Sequence, residues 1–297
     1  MNLTVICQLS IVNWFLWRIA VLNSFDIDNL ILAALKEDMP LGDITTDNLV
    51  NISSTSEAKF IAKEEGVIAG LDVSERSFLL LDNNIVFERF FNDGDTVKYG
   101  DTIAIIKGNT RAMLKAERTA LNFLQHLSGI ASATKKYCDK VKDFPVRIVD
   151  TRKTTPGLRF LEKYAVRTGG GHNHRFCLSD GVLIKDNHIK AAGGILKAIE
   201  ILRDKIPHTI KIEVETESLA QVQEALDAGA DIIMLDNMKL EQIKEAVELI
   251  AGRALIEDSG NVNIETVYDL AAAGVDIISI GRITHSVEAL DISMKFV

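Results

Sequence analysis

Beyond Pro145 the chain falls into a rhythm in which strand-like runs, RIVD, VLIKD, TIKIEVE, DIIMLD, ALIEDS and DIISIG, alternate with helix-like segments such as SLAQVQEALDAG and KLEQIKEAVELIAG. Runs starting at 182, 209, 231, 254 and 276 lie 27, 22, 23 and 22 residues apart. Spacing this regular is the mark of a βα repeat, and AGADIIMLDN at 228–237 resembles AGVDIISIGR at 273–282. Parallel strands need crossover helices, so six or seven such units close most economically into an α/β barrel of the TIM type. An open doubly wound sheet is the alternative.

The chain upstream reads differently. From Phe25 a helical pattern runs through IDNLILAALKED, with Ile27, Leu30, Ile31, Ala34 and Leu35 on one face, and it stops at Pro40 and the turn around Gly42. Short β-like runs follow, AKFIAKEEGVIAGL and NNIVFERFFNDGDTVKYGDTIAIIKG, punctuated by Asp93-Gly94 and Gly100-Asp101. They predict a small strand-rich domain. Its DGDTVKYGDTIAII is similar to the hairpins of biotinyl and lipoyl carriers but has no Met-Lys-Met-like tip, so it reads as architecture. A long helix is expected from about Lys115 to Val141, with Leu121, Leu124, Gln125 and Ser128 along one stripe and Arg118 and His126 off it.

Residues 1–24 are apolar, with Arg18 the only charge. No basic region precedes them, and Gln8, Ser10 and Asn13 interrupt the run, which disfavours both a secretory signal and a membrane span. The expectation is an N-terminal extension, or a misplaced start, leading into a helix on the body of the protein.

Charge is unevenly distributed. From Asp150 to Lys190 eight Lys/Arg stand against four acids, a balance of +4 in a chain whose total is −9. His172, His174 and His188 share that window. The overall acidity argues against nonspecific nucleic-acid binding, while the local excess suits a pocket for a small polyanion. A hydrophobic content of 47% in 297 residues is enough for a large core. Cys7, Cys138 and Cys177 are too scattered for a disulfide framework or a zinc site, so a reducing cytoplasm is the expected compartment.

Barrel enzymes gather reacting groups at the carboxyl ends of strands. Here Asp150 and Arg152 follow one strand, Lys185 the next, Glu215 ends IKIEVE, Asp236 follows IML, Glu257 and Ser259 follow LI, and Gly281 follows ISI. In TIKIEVE, alternation puts Ile210, Ile212 and Val214 toward the helices and Lys211, Glu213 and Glu215 toward the lumen. Charges there are costly unless paired or liganded. The turns Ser259-Gly260-Asn261 and Gly281 offer backbone N–H groups to a phosphate. Glu215 and Asp236 are candidate Mg²⁺ ligands through oxygen or water. Lys185 stands equally where a Schiff-base lysine would. No dinucleotide fingerprint or Walker A run occurs, and Gly169-Gly170-Gly171 reads as a tight or flexible loop after a helix.

Many segments occur in the order of one family. LKEDMPLGDITTD, EGVIAGL, DGDTVKYGD, AERTALNFLQHLSGIA, DTRKTTPGLRFLEKYAVRTGGGHNHR, LIKDNHI, IEVE, IMLDN, EDSGNVN and VDIISIGRITHS together cover nearly all of the chain after residue 24. In them the chain resembles the quinolinate phosphoribosyltransferases of NAD biosynthesis. The resemblance implies an α/β protein in which an N-terminal α/β sandwich domain (25–130, completed by 287–297) precedes an incomplete TIM-like α/β barrel (131–286). It implies a homodimer with shared active sites, with a hexamer left open; the charge balance and the N-terminal composition lead to the expectation of no nucleic-acid and no stable membrane partner. The substrates would be quinolinate and PRPP with Mg²⁺ as cofactor, and the products nicotinate mononucleotide, CO₂ and pyrophosphate.

Carried over residue by residue, Arg118 resembles an arginine lent by the neighbouring subunit, which with Arg152, His174 and Arg175 grips the two carboxylates of quinolinate. Lys153 and Lys185 would sit between quinolinate and the pyrophosphate of PRPP. Glu215 and Asp236 would lie near the ribose hydroxyls and Mg²⁺, and Ser259, Gly260 and Gly281 would clamp the 5′-phosphate, with Asn261 in the same turn. Arg282 stands where the family has a small residue, Asn261 to Asn263 replaces a more glycine-rich turn, and His172 reads as a spectator. The rival readings are a fold relative acting on another ring, a Schiff-base aldolase using Lys185, and a carrier module built on the hairpins.

Overall fold

The computed structural model describes residues 24–297, so the expectation placed on the N-terminal extension lies outside the described residues. The chain divides into two compact units, one comprising residues up to His126 together with Leu290–Val297, the other Leu127–Ala289. The first division falls inside a single helix, Thr110–Lys140. That helix starts earlier than the apolar stripe suggests, because Asn109 Oδ1 accepts from the backbone N–H of Ala112 at 3.1 Å and starts it directly after a strand.

The first unit carries a four-stranded antiparallel sheet in the order β12-β1-β5-β3, formed by β1 (Thr55–Ala62), β3 (Val86–Arg89), β5 (Thr102–Asn109) and the C-terminal β12 (Ile292–Phe296). A two-stranded pair, β2 (Gly66–Val67) and β4 (Thr96–Val97), completes it. In β1, Ala58, Phe60 and Ala62 are fully buried while their neighbours are not, the period-two pattern of a sheet with one wet face. Phe60, Phe78 and Phe87 cluster with ring centroids 5.9–6.1 Å apart, and burying each such ring contributes roughly 2–3 kcal/mol. Met113, Ala116, Ala120, Leu121 and Leu124 of the long helix pack into this core at helical spacing. The carrier-like hairpin thus supplies the interior strand β5, which pairs with both β1 and β3.

The second unit has six parallel strands in the order β6-β11-β10-β9-β8-β7. They are β6 (Arg147–Val149), β7 (Val182–Ile184), β8 (Ile212–Thr216), β9 (Ile232–Asp236), β10 (Leu255–Ser259) and β11 (Ile277–Ser279). The first strand pairs with the last, while β6 and β7, at the two ends of the sheet, do not pair with each other, so the barrel is incomplete. The internal repeat has a structural meaning. Asp231 Oδ2 accepts from Ile212 N–H at 2.7 Å and Asp276 Oδ2 from Ile256 N–H at 2.8 Å, so each repeated aspartate anchors the start of a preceding strand. Among the described residues no helix is long and apolar enough to cross a membrane.

Candidate active site

A cavity of about 1020 Å³ opens where the carboxyl ends of the six strands converge. Arg152 and Lys153 reach it from beyond β6, Lys185 from beyond β7, Glu215 and Asp236 from the ends of β8 and β9. Ser259, Gly260 and Asn261 line it after β10, Gly281 after β11, and His174 and Arg175 from the segment after the glycine run. All the site residues expected from the sequence are there except Arg118, which is exposed on the helix Thr110–Lys140 in the first unit.

The segment carrying His174 and Arg175 is held from inside. Asp150, fully buried, accepts at Oδ1 from Lys163 Nζ and from the backbone N–H of His174 (2.9 Å), and at Oδ2 from Asn173 Nδ2 (2.5 Å). Lys163 also donates to His174 O at 3.1 Å. Burial pushes the Asp150 carboxyl up and the Lys163 ammonium down, and each charge is sustained against that by the other. The glycine run is a tight loop: a Cβ on Gly169 would come within 2.4 Å of Ala131 O, and one on Gly171 within 2.7 Å of Thr134 Cγ2. Helix Arg159–Thr168 can therefore turn directly against the long helix.

His174 sits among acids. Its Nε2 lies 3.1 Å from Glu213 Oε2 and 3.5 Å from Glu257 Oε1, and its Nδ1 accepts from Arg175 N–H at 2.7 Å. An Nδ1 that accepts a hydrogen bond carries no proton, so Nε2 bears it, and this nitrogen is a donor to the acids rather than a metal ligand. Burial opposes a charged ring, but the hydrogen bond to Glu213 and the charges of Glu257 and Glu213 outweigh it and raise the pKa of His174. Glu257, 2% exposed, is pushed up to about 8 by burial and by the charge of Glu213. Next to it Asp258 is pushed up to about 7 by burial and by Asp236.

Lys185 Nζ donates to Glu215 Oε2, the arrangement of a paired cation and not of the neutral amine an aldolase requires. Asp236 Oδ2 accepts from Asn237 Nδ2 at 2.9 Å. Two hard-oxygen carboxylates on adjacent strands, facing one cavity, match what Mg²⁺ takes from a protein when water and phosphate complete its shell. At the turn after β10, Gly260 has φ +102° and Asn261 φ +49°, left-handed conformations that favour glycine.

The cationic window splits in two. Arg152, Lys153, Arg175 and Lys185 line the cavity, whereas Lys163, Arg159, Arg167 and Lys190 are turned to Asp150, to Thr154 Oγ1 (2.9 Å), to Gly171 O (3.2 Å) and to Asp186 Oδ2 (3.2 Å). His188 is likewise occupied, its Nδ1 accepting from Lys185 N–H at 3.0 Å. Asn237, His285 and Ser286 also line the cavity, and nothing in the sequence marked them. Glu213 and Glu257, already expected on the lumen side and at a strand end, are the acids that face His174. Arg282 also lines the cavity, beside the turn at Gly281.

Residues 130–295 match the family model "Quinolinate phosphoribosyl transferase, C-terminal domain" and residues 43–128 the corresponding N-terminal domain. A probable carboxylating nicotinate-nucleotide pyrophosphorylase of Bacillus subtilis is 43% identical, over 92% of this chain and 94% of its own. A mitochondrial decarboxylating quinolinate phosphoribosyltransferase of Nicotiana tabacum is also 43% identical, over 92% and 82%. The crystal structure of NadC from Streptococcus pyogenes superposes with a TM-score of 0.89 at 49% identity, covering 92% of this chain and 96% of that one.

Proposed function

This chain belongs to the quinolinate phosphoribosyltransferase family, and from that premise we propose how its cavity residues divide the transfer of phosphoribose from PRPP to quinolinate, with decarboxylation, in NAD biosynthesis. One observation carries the assignment of the dicarboxylate site. Arg152 has a buried Nε without a hydrogen-bond partner, and its charge, after burial, depresses the pKa of Arg175. Two guanidinium groups crowded in one cavity call for an anion between them, and a carboxylate fits their forked geometry. In this reading Arg152 and Arg175 hold quinolinate, with His174 alongside and Arg118 supplied by a second copy of the chain.

Ser259, Gly260, Asn261 and Gly281 receive the 5′-phosphate, and Lys153 and Lys185 face the pyrophosphate. The C1–O bond of PRPP breaks with its electron pair leaving on pyrophosphate, a departure the two ammonium groups stabilise. Glu215 and Asp236, ionised, stabilise the positive charge that develops on the ribose, and the held pyridine nitrogen closes on C1. Mg²⁺, bound by Glu215 and Asp236 directly or through water, would supply further neutralisation of the pyrophosphate charge. The C2–carboxylate bond then breaks, its electron pair stays at C2 beside the cationic ring nitrogen, and protonation at C2 gives nicotinate mononucleotide.

Purified protein with quinolinate, PRPP and Mg²⁺ should release CO₂ and form nicotinate mononucleotide; activity with nicotinate but not quinolinate would refute the substrate assignment. The shared site has its own test. Arg118→Ala and Arg175→Ala subunits, inactive alone, should recover activity on mixing, and no recovery would exclude Arg118 acting in trans. The proposed compartment is the cytoplasm, and the proposed assembly a homodimer.

A further inference from the structure

The geometry points to Asn237 as a positioning residue that couples the carboxylate of Asp236 to the Ser259–Asn261 turn, so that the ribose and the 5′-phosphate of PRPP are gripped as one unit. This rests on the assignment of that turn to the phosphate and of Asp236 to the ribose.

Asn237 touches every member of both groups. Its side-chain Nδ2 donates to Asp236 Oδ2 at 2.9 Å, while its Oδ1 accepts from Asn261 Nδ2 at 3.1 Å. Its backbone N–H donates to Ser259 O at 2.9 Å. Against Gly260 the fit is so close that a Cβ there would fall 2.3 Å from Asn237 Oδ1 and 2.6 Å from its Cγ. The amide's orientation follows from its two partners: the NH₂ faces the Asp236 carboxyl oxygen and the carbonyl oxygen faces the Asn261 NH₂.

Asn237 and Asn261 also both adopt positive φ, +54° and +49°, at the ends of the neighbouring strands β9 and β10. Backbone alone does not explain asparagine at either place, because glycine meets the same requirement with less strain. What glycine lacks is the amide. A side chain that donates to an acid on one strand and accepts from the turn on the next transmits the position of each to the other, and both amides line the cavity.

Glycine is accordingly the discriminating substitution, as it keeps the backbone conformation and deletes the bridge. In steady-state kinetics on the full chain, Asn237→Gly should raise KM for PRPP about tenfold, the worth of a hydrogen bond to a charged group, and leave KM for quinolinate within about twofold. Titrated ribose 5-phosphate should bind more weakly to a similar degree. Asn261→Gly should behave alike, and the double variant should be no worse than the more affected single, because the two amides act through one contact.

An Asn237→Gly variant with an unaltered KM for PRPP, or a double variant whose loss is the product of the singles, would overturn the inference. Ser259→Ala separates its failure from that of the phosphate assignment. If Ser259→Ala weakens PRPP and Asn237→Gly does not, only the bridge is refuted; if neither does, the turn is not the phosphate site.

Discussion

Lys163→Met removes the one charged partner, among the described residues, of a carboxylate that is fully buried. Asp150 would keep only two donors, Asn173 Nδ2 and the His174 N–H, and breaking a buried pair from one side costs about 3–5 kcal/mol. For a unit of this size each kcal/mol lowers Tm by about 2–4 °C, so the melting temperature should fall by roughly 6–20 °C. The pH dependence has a definite sign. Burial already raises the Asp150 carboxyl above its ordinary 3.8, and without the ammonium it rises further. The folded variant then binds a proton more tightly than the unfolded chain does, so its stability is greatest at low pH and is lost as pH rises through the raised pKa. Adding Asp150→Asn makes the site neutral and should restore much of the loss. Thermal melts followed by circular dichroism, with urea titrations at several pH values, measure both effects. A single variant as stable as the parent, or a double variant no more stable than the single, would refute the argument that Asp150 needs this charge.

Three further outcomes are expected. Glu257 and Asp258, with pKa values pushed to about 8 and about 7, contribute stability that is complete below their ordinary carboxylate range and is lost as pH rises through those values; Glu257→Gln and Asp258→Asn should flatten the decline of Tm between the ordinary carboxylate range and the raised values, and an unchanged slope would show that neither pKa is raised in the fold. Gly169→Ala requires no unusual φ but forces a Cβ against Ala131 O, so urea unfolding should show a loss of about 1–3 kcal/mol from overpacking; Gly170→Ala meets only Cys138 Sγ, at 4.0 Å, and its cost should come from a φ of +90° alone. Arg152→Ala should raise KM for quinolinate far more than KM for PRPP, and an equal rise in both would remove Arg152 from the dicarboxylate site.

Much of the site was legible because strand ends are legible. Once the βα rhythm is recognised, the residues following each apolar run must face one rim of the barrel, and Arg152, Lys153, Lys185, Glu215, Asp236, Ser259 and Gly281 do so. The rest depended on contacts between segments distant in sequence. Lys163 looks like one more cation of a basic window, yet it is spent on Asp150. His174 looks like a free imidazole, yet both ring nitrogens have protein partners. Asn237 follows a predicted acid and gives no signal of its own until Asn261, 24 residues away, is seen beside it.

The sequence by itself determined the parallel α/β class, the rim on which chemistry gathers and, through the order of its motifs, the family. These follow from local periodicity and spacing, which every chain carries in one dimension. Only the tertiary structure decided which charges are spent holding the fold together and which remain for a ligand, because charge pairing and burial depend on three-dimensional neighbours. It also decided that the barrel stays open between β6 and β7, and that two asparagines at the ends of β9 and β10 meet across the rim.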